Sequence, residues 1–498
     1  MTETQATTRS LGVSRPDLPV TDLPTPEEVF KVSRIGPKEL FKYALGPSFI
    51  VLGISIGSGE WLLGPRSVGQ FGFVGVGWII LISALLQTFY NIECARYVVA
   101  TGEVPAVGFG RVPPGWLLWV PASVLIFILA FITGGWAASA GQGLYALVHG
   151  EPPRAGAEEP RLWAIALLIV VFLITATARR ITRVLEISNW VMVAIILFAL
   201  LLIDLTIVPF DIWWEGIRGF VTPAAPPEGI TATQLGGLAG FTAFASGLNW
   251  YIIGHYRDKG YGMGHRVGFL TGMRGERQEI LASGVTFSDS EKNAGLWRRW
   301  YRLLQADMWG IFFIGAMLGM LLPTILMAHA VQITGQRPTQ ANVPTFAADA
   351  LNQEYGPFLF YSTLLLGVLI LFSTQLGIFE SLVRVPTDAA HATSPWLRRF
   401  LDGDPRRLYF PFMLFLLIVI SIIIHVALPL SLIDWSANMS NLGALIFPFM
   451  LIYLNRQLPR AARPRWWHTV ILLLNCLFFG FFFVNFIADF IGDPLVTF

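Results

Sequence analysis

The chain has 498 residues, 54% of them hydrophobic and only 13% charged, with a net charge of +2. Soluble domains carry about 25% charged residues. So low a share, set around repeated apolar runs of roughly twenty residues, describes a polytopic membrane protein and excludes a soluble globular domain. The small net charge argues against a nucleic-acid partner, and two cysteines, Cys94 and Cys476, both inside apolar runs, leave no disulfide framework or cysteine metal site.

The first forty residues are polar, contain Pro16, Pro19, Pro24 and Pro26, and lack the apolar core of a signal peptide. They predict a flexible cytoplasmic tail over 1–43 that ends in a short interfacial helix near Lys38 to Tyr43. A membrane domain over 44–490 follows, then a short external tail, 491–498. Within the domain the apolar runs predict eleven spans, at 45–68, 74–98, 116–141, 162–178, 188–208, 233–254, 306–329, 357–382, 408–427, 432–454 and 468–488. Seventeen Trp and 38 Phe suit aromatic belts at the two interfaces. "FDIWWEGIRGF", Phe210 to Phe220, predicts an interfacial segment, with Trp213 and Trp214 at headgroup level. The charged loop 255–305 predicts partial helix; it is either an element that moves during a working cycle or a solvated linker.

Basic residues test the count. The linkers after spans 4, 6, 8 and 10 carry, among others, Arg179, Arg180, Arg183, Arg257, Arg266, Arg298, Arg299, Arg384, Arg398, Arg399, Arg456 and Arg460. The opposite linkers carry only Arg66, Arg154, Arg161, Arg218 and Arg337. All five lysines, Lys31, Lys38, Lys42, Lys259 and Lys292, fall on the rich side. The expected placement is a bacterial cytoplasmic membrane with the amino terminus inside and the carboxyl terminus outside.

Two spans are interrupted. "ISIGSGEW" in span 1 places Gly57, Ser58 and Gly59 at mid-span, followed by Glu60. Bare backbone at membrane depth is tolerated where it lines a cavity or is buried in protein. An acid within a span marks a functional candidate. Close helix packing through Gly53 and Gly57 is the competing reading, but it leaves Glu60 unexplained. Span 6 repeats the pattern with Ser246, Gly247 and Asn249, then His255. Interrupted spans five apart point to two five-helix repeats with a site between them.

"LGPSFIVLGISIGSGEW", Leu45 to Trp61, resembles the first helix of the Nramp divalent-metal transporters, whose pattern is GPGF followed by DPGN. "LLQTFYNIECARYVVATGE", Leu85 to Glu103, is similar to the family's second helix, and the eleven spans agree. The resemblance implies an all-α polytopic fold of the LeuT type: a 5+5 inverted repeat with helices 1 and 6 discontinuous, plus one extra helix. Counting from Gly46-Pro47, the family's metal-binding aspartate falls on Gly57, its proline on Ser58, its glycine on Gly59 and its asparagine on Glu60. Its helix-6 MPHN falls on Ser246-Gly247-Leu248-Asn249, so the methionine and histidine are lost and the asparagine remains. The GSG also resembles the glycine-rich break of amino-acid permeases of the same fold, where backbone N–H groups hold a substrate carboxylate.

Loss of the thioether removes the soft ligand and leaves oxygen donors, which suit hard, largely hydrated cations. The expected function is secondary active transport of an inorganic cation, a divalent metal, by alternating access with proton coupling. The alternative is a proton- or sodium-coupled carrier of a small organic solute such as an amino acid. The expected substrate site is Gly57, Ser58, Gly59, Glu60, Ser246, Gly247 and Asn249, with Glu60 and His255 serving proton coupling. His255 has a solvated reading too, near the inner interface. In span 8, Ser373, Thr374 and Gln375 either complete a second cation site against span 1, as hydroxyls of helix 8 do in folds of this type, or bond back within their own helix. Asn438 in span 10 lines the cavity or ties helices together. Glu93 and Arg96 are one turn apart and predict a pair, and Asp204 is placed at an interface. No phosphate-binding loop, HExxH or nucleophile elbow is present, so no enzyme activity and no bound cofactor are expected beyond a transported divalent cation. The remaining partners are the bilayer and a small substrate.

Overall fold

The computed structural model describes residues 18–39, 47–103, 105–154, 156–177, 181–243, 249–268, 284–402, 404, 406–492 and 495. Eight described helices are long and apolar enough to cross a membrane, and the three remaining spans are shorter or broken. Span 1 runs as Pro47–Ser55, a π-turn at Gly59–Leu63, and Gly64–Phe71. Span 2 is Gly77–Thr101, span 3 is Trp116–Phe131 with Gly135–His149, span 4 is Glu159–Thr177 and span 5 is Ile181–Ile207. Span 6 is Ala232–Phe241 with Asn249–Asp258, and span 7 is a π-turn at Met308–Phe313 with Ile314–Thr334. Spans 8 to 11 are Pro357–Thr393, Arg406–Ile423, Pro429–Asn455 and Trp466–Phe490. All eleven predicted spans are present, and the interfacial segment is the helix Phe210–Val221.

Contacts between distant residues support the alternation of eleven crossings. Arg66 near the end of span 1 meets Asp434 near the start of span 10, and Glu93 near the end of span 2 meets His468 near the start of span 11. Each pair joins residues that alternation places at one face. The packing also repeats. Span 1 packs on span 5 as span 6 packs on span 10, and span 3 packs on span 4 as span 8 packs on span 9. Likewise span 3 meets span 10 as span 8 meets span 5, and span 2 meets span 6 as span 7 meets span 1. Five is an odd number of crossings, so the second set runs opposite to the first and the repeat is inverted. Span 11 stands outside the repeat and packs on span 10, on the first half of span 6 and on span 2.

Lipid supplies no hydrophobic force to bring helices together, so close packing relies on small residues and interhelical hydrogen bonds. Span 3 shows how one glycine redirects a helix. Gly134 takes a left-handed conformation (φ 70°), which L side chains rarely adopt, and divides the span into two helices. The resulting kink turns Trp136 toward span 1. The run 116–141 predicts one continuous helix, and the structure divides it at Gly134.

The described part of the tail is docked, where a flexible tail was expected. Strand β1 (Val20–Thr21) pairs in parallel with β2 (Thr286–Phe287). The Leu23 N–H donates to Asn293 Oδ1 (3.2 Å), the Trp300 indole donates to the Pro24 carbonyl (2.8 Å), and Phe30 meets the edges of Tyr261 and Trp300. Lys292, 2.8 Å from Asp22, holds that carboxyl below its usual range. Residues 40–46, which include most of the expected interfacial helix, lie outside the described residues, as do 269–283 of the loop. The rest of that loop contributes the helix Glu291–Asp307, which runs directly into span 7. Asp204, three residues from the end of span 5, is fully buried between helices.

Candidate functional site at the crossing of spans 1 and 6

The breaks of spans 1 and 6 meet. A Cβ on Gly59 would lie 2.0 Å from the Phe241 carbonyl oxygen, so only glycine lets span 1 cross the end of the first half of span 6. Beyond Phe241, Ala243 sits at φ 64°, a strained conformation for a residue with a Cβ. Ser246 and Gly247 lie outside the described residues. Asn249, where span 6 resumes, is buried and its amide donates to Asn91 of span 2.

Glu60 is fully buried at this crossing. Its Oε2 accepts the Gly57 N–H (3.0 Å) and its Oε1 stands 3.4 Å from the Ser55 hydroxyl, which donates to the Ala243 carbonyl. A continuous helix would pair the Gly57 N–H with the Gly53 carbonyl. Here Glu60 takes that donor, and the Gly53 carbonyl faces span 8 instead. The π-turn that follows is the kind of helix irregularity found at functional sites. Ser58 accepts a hydrogen bond from the Trp136 indole (2.8 Å), and that ring packs on Phe241 with centroids 5.5 Å apart.

Span 8 supplies a second constellation. Ser373 Oγ lies 2.8 Å from the Gly53 carbonyl and 2.8 Å from the Ile370 carbonyl. Thr374 Oγ1 lies 3.4 Å from the Ile56 carbonyl and 3.1 Å from that of Ile370. Two hydroxyl protons thus serve contacts to three carbonyls. The contacts to Ile370 are the back-bonds within span 8, and those to Gly53 and Ile56 tie the same hydroxyls to the break of span 1; neutral oxygens of this kind suit a small hard cation. Gln375, predicted with them, turns away: its Oε1 accepts the Ala137 N–H of span 3 (3.1 Å).

Two other expected residues are not brought to the crossing. Asn438 donates to the Thr233 and Asp434 carbonyls, both 2.9 Å, and ties span 10 to the first half of span 6. This is the helix-tie reading, and the shape of the packing explains it: Gly236 of span 6 leaves room for the Asn438 amide. His255 is buried rather than solvated, and it lies six residues beyond Asn249, roughly 9 Å along the helix. It stands within the charged cluster at the end of span 6, where Arg257 bonds to Asp258 (3.1 Å) and Asp388 (3.2 Å) and Arg384 pairs with Asp258.

Both mouths of the crossing are closed by buried polar contacts. On the face away from the tail, Arg66 and Asp434 form a bidentate pair, both bonds 2.7 Å, joining span 1 to span 10. On the tail face, Asp307, the last residue of the helix that runs into span 7, accepts from the Tyr256 hydroxyl of span 6 (2.5 Å) and from the Ser48 N–H at the foot of span 1 (3.2 Å). The predicted Glu93–Arg96 pair is present and is extended by His468, whose Nδ1 is 2.7 Å from Glu93 Oε1. Sequence reasoning missed Trp136, Asp307 and the Arg66–Asp434 pair. Trp136 stands in the small-residue run "TGGWAASAG", and that contrast was the available signal. The Arg66–Asp434 partners lie 368 residues apart and offered none. Among the described residues, no group of three or more His, Cys, Asp or Glu is arranged to hold a metal ion.

No protein-family model matches the chain, and no curated protein matches its sequence. Solved structures do match. The manganese transporter of Eremococcus coleocola, in complex with an aromatic bis-isothiourea substituted compound, superposes with a TM-score of 0.59 at 17% identity, over 97% of this chain and 93% of that one. MhsT in complex with L-phenylalanine superposes with a TM-score of 0.50 at 16% identity, over 88% of this chain and 98% of that one. At these identities the likeness is one of fold. The chain is an integral membrane protein with the LeuT-type fold that the broken spans and the inverted packing describe.

Proposed function

We propose that this protein is a secondary active transporter that moves a small organic solute through the crossing of spans 1 and 6, driven by a small monovalent cation. The observation that carries the reading is the oxygen set of Gly53, Ile56, Ile370, Ser373 and Thr374, built onto the break of span 1. Neutral oxygens compensate one positive charge more readily than two, which favours Na⁺ over a divalent ion at this place. Glu60 links the two sites, because its hold on the Gly57 N–H frees the Gly53 carbonyl. Solute binding that displaces Glu60 would then change the cation's ligands, which is a physical route to coupling.

The solute site is lined by Ser58, Trp136 and Phe241 and the bare backbone around Gly57 and Gly59. Aromatic walls with a few fixed polar groups suit a small organic molecule. Glu60, if ionised, disfavours an anion and supports a cationic or zwitterionic solute. Alternating access would break the Arg66–Asp434 closure on one face and the Asp307 closure on the other. The excess of basic residues on the tail side supports an inside amino terminus in a bacterial cytoplasmic membrane.

One observation keeps a second reading alive. Glu60 is a carboxylate beside oxygen donors, and the manganese transporter shares the fold. With the motif resemblance in spans 1 and 2, this supports a divergent Nramp relative that moves a hard, hydrated divalent cation with proton coupling. A thermal-shift screen on purified protein separates the readings. Stabilisation by an organic solute that grows with Na⁺, and is lost in Ser373→Ala, supports the first. Stabilisation by Mg²⁺ or Mn²⁺ alone, lost in Glu60→Gln, refutes it in favour of the second.

A further inference from the structure

Span 5 carries a buried amide that the reading above does not use. Asn189 is fully buried, and among the described residues neither its Nδ2 nor its Oδ1 has a hydrogen-bond partner. Leaving a buried amide unpaired is unfavourable, so an apolar residue would suit the static packing better. Its location is specific. Asn189 lies flat against Gly53: a Cβ on that glycine would come within 2.6 Å of Asn189 Cβ and 2.9 Å of its Oδ1. Gly53 is the residue whose carbonyl Glu60 frees and Ser373 meets. Depth agrees as well. Gly53 is six residues from the tail-face end of span 1 and Asn189 eight from that end of span 5, roughly 9 and 12 Å. Asn189 therefore stands at the depth of the oxygen set, on the side of Gly53 away from span 8, at the contact between span 1 and span 5.

We infer that Asn189 is a cation ligand of the tail-facing state: its Oδ1 takes up the small monovalent cation as the first half of span 1 leaves span 8. The chemistry fits, since an amide oxygen is a neutral hard donor, as are the hydroxyls it would replace. In the closed state the contacts to Ser373 and Thr374 hold the Gly53 and Ile56 carbonyls on the span 8 side, and Asn189 waits behind Gly53. When the foot of span 1 loses its Asp307 contact and swings, Ser373 and Thr374 stay with span 8 while Asn189 stays with span 5. The cation then needs a replacement for the lost hydroxyls, and the unpaired amide supplies one.

The inference rests on the proposed cation coupling, and the test keeps the two apart. Uptake of the solute found by the thermal-shift screen is measured in proteoliposomes against Na⁺ concentration, for wild type, Asn189→Ala and Asn189→Asp. The Na⁺ response of thermal stability is read in parallel, with choline as the reference. Asn189→Ala is expected to raise the Na⁺ concentration for half-maximal uptake about tenfold, with the solute's half-saturation at high Na⁺ within about twofold of wild type. Asn189→Asp, which restores an oxygen and adds charge, is expected to recover or tighten the Na⁺ response. An unchanged Na⁺ dependence in Asn189→Ala overturns the inference, as does equal loss of stability in Na⁺ and choline with the Na⁺ response intact, which would make Asn189 a packing residue. A wild type that ignores every monovalent cation overturns the coupling reading itself, and this inference with it.

Discussion

Neutralising one partner of the Arg66–Asp434 pair should open the protein on the face away from the tail. The pair is bidentate at 2.7 Å, with side chains 2% and 9% exposed, so neither charge is shared with bulk water. In Asp434→Asn the guanidinium stays buried without its counter-charge while this mouth is closed. Breaking a buried pair in this way costs about 3–5 kcal/mol. Opening the mouth hydrates Arg66 and removes the penalty, so the cost falls on the closed state alone. At about 1.4 kcal/mol per tenfold, the lower figure shifts the open-to-closed ratio roughly a hundredfold. The readout is labelling of a cysteine placed at Ser67, beside Arg66 and buried in the closed form, by a membrane-impermeant maleimide, after Cys94 and Cys476 are replaced by alanine. Labelling should accelerate by at least about tenfold in Asp434→Asn. Replacing both partners by apolar residues of similar volume should return it toward the parent rate, because no unpaired charge then remains. If Asp434→Asn labels at the parent rate and transports normally, the pair does not close this mouth.

Other substitutions probe the remaining parts. Gly59→Ala places a methyl where the Phe241 carbonyl stands and should abolish uptake while lowering the melting temperature by several degrees, read by differential scanning fluorimetry. Glu60→Gln should remove transport or its pH dependence with expression intact, and it should also weaken Na⁺ stabilisation, because Glu60 frees the Gly53 carbonyl. Normal uptake by this variant would remove Glu60 from the site. Trp136→Phe keeps the ring and loses the bond to Ser58, so solute affinity should fall by about tenfold in equilibrium binding with maximal rate little changed. Phe30→Ala removes the ring held between Tyr261 and Trp300, and hydrogen exchange over residues 18–31 should rise without a matching rise in the spans.

Much of the architecture could be read from the chain because a membrane makes length and charge informative. The eleven runs and the helix at Phe210 are one-dimensional signals, and the structure contains them all as helices. The break of span 1 was visible in Gly57 and Gly59, and Glu60 stood out as an acid at depth. The hydroxyls of Ser373 and Thr374 stand out in the run of span 8, but the carbonyls they touch do not, because carbonyls carry no sequence signal. What stayed hidden depended on which helix faces meet. Gln375 was grouped with its neighbours until helix geometry turned it toward span 3. Asn438 was offered two roles, and the Thr233 carbonyl of span 6 decided between them. That neighbouring helices cover Asp204 carries no signal in the run either. The tail looked free because its docking rests on pairs some 270 residues apart, such as Leu23 with Asn293.

Uphill transport is the most direct test of the central claim. Proteoliposomes holding the purified protein are given an inward Na⁺ gradient and the solute found by the thermal-shift screen, and internal solute is followed with time. The account predicts accumulation above the external concentration, collapse of that accumulation when an ionophore dissipates the gradient, and none in Ser373→Ala. Internal solute that only equilibrates, with or without the gradient, would contradict it.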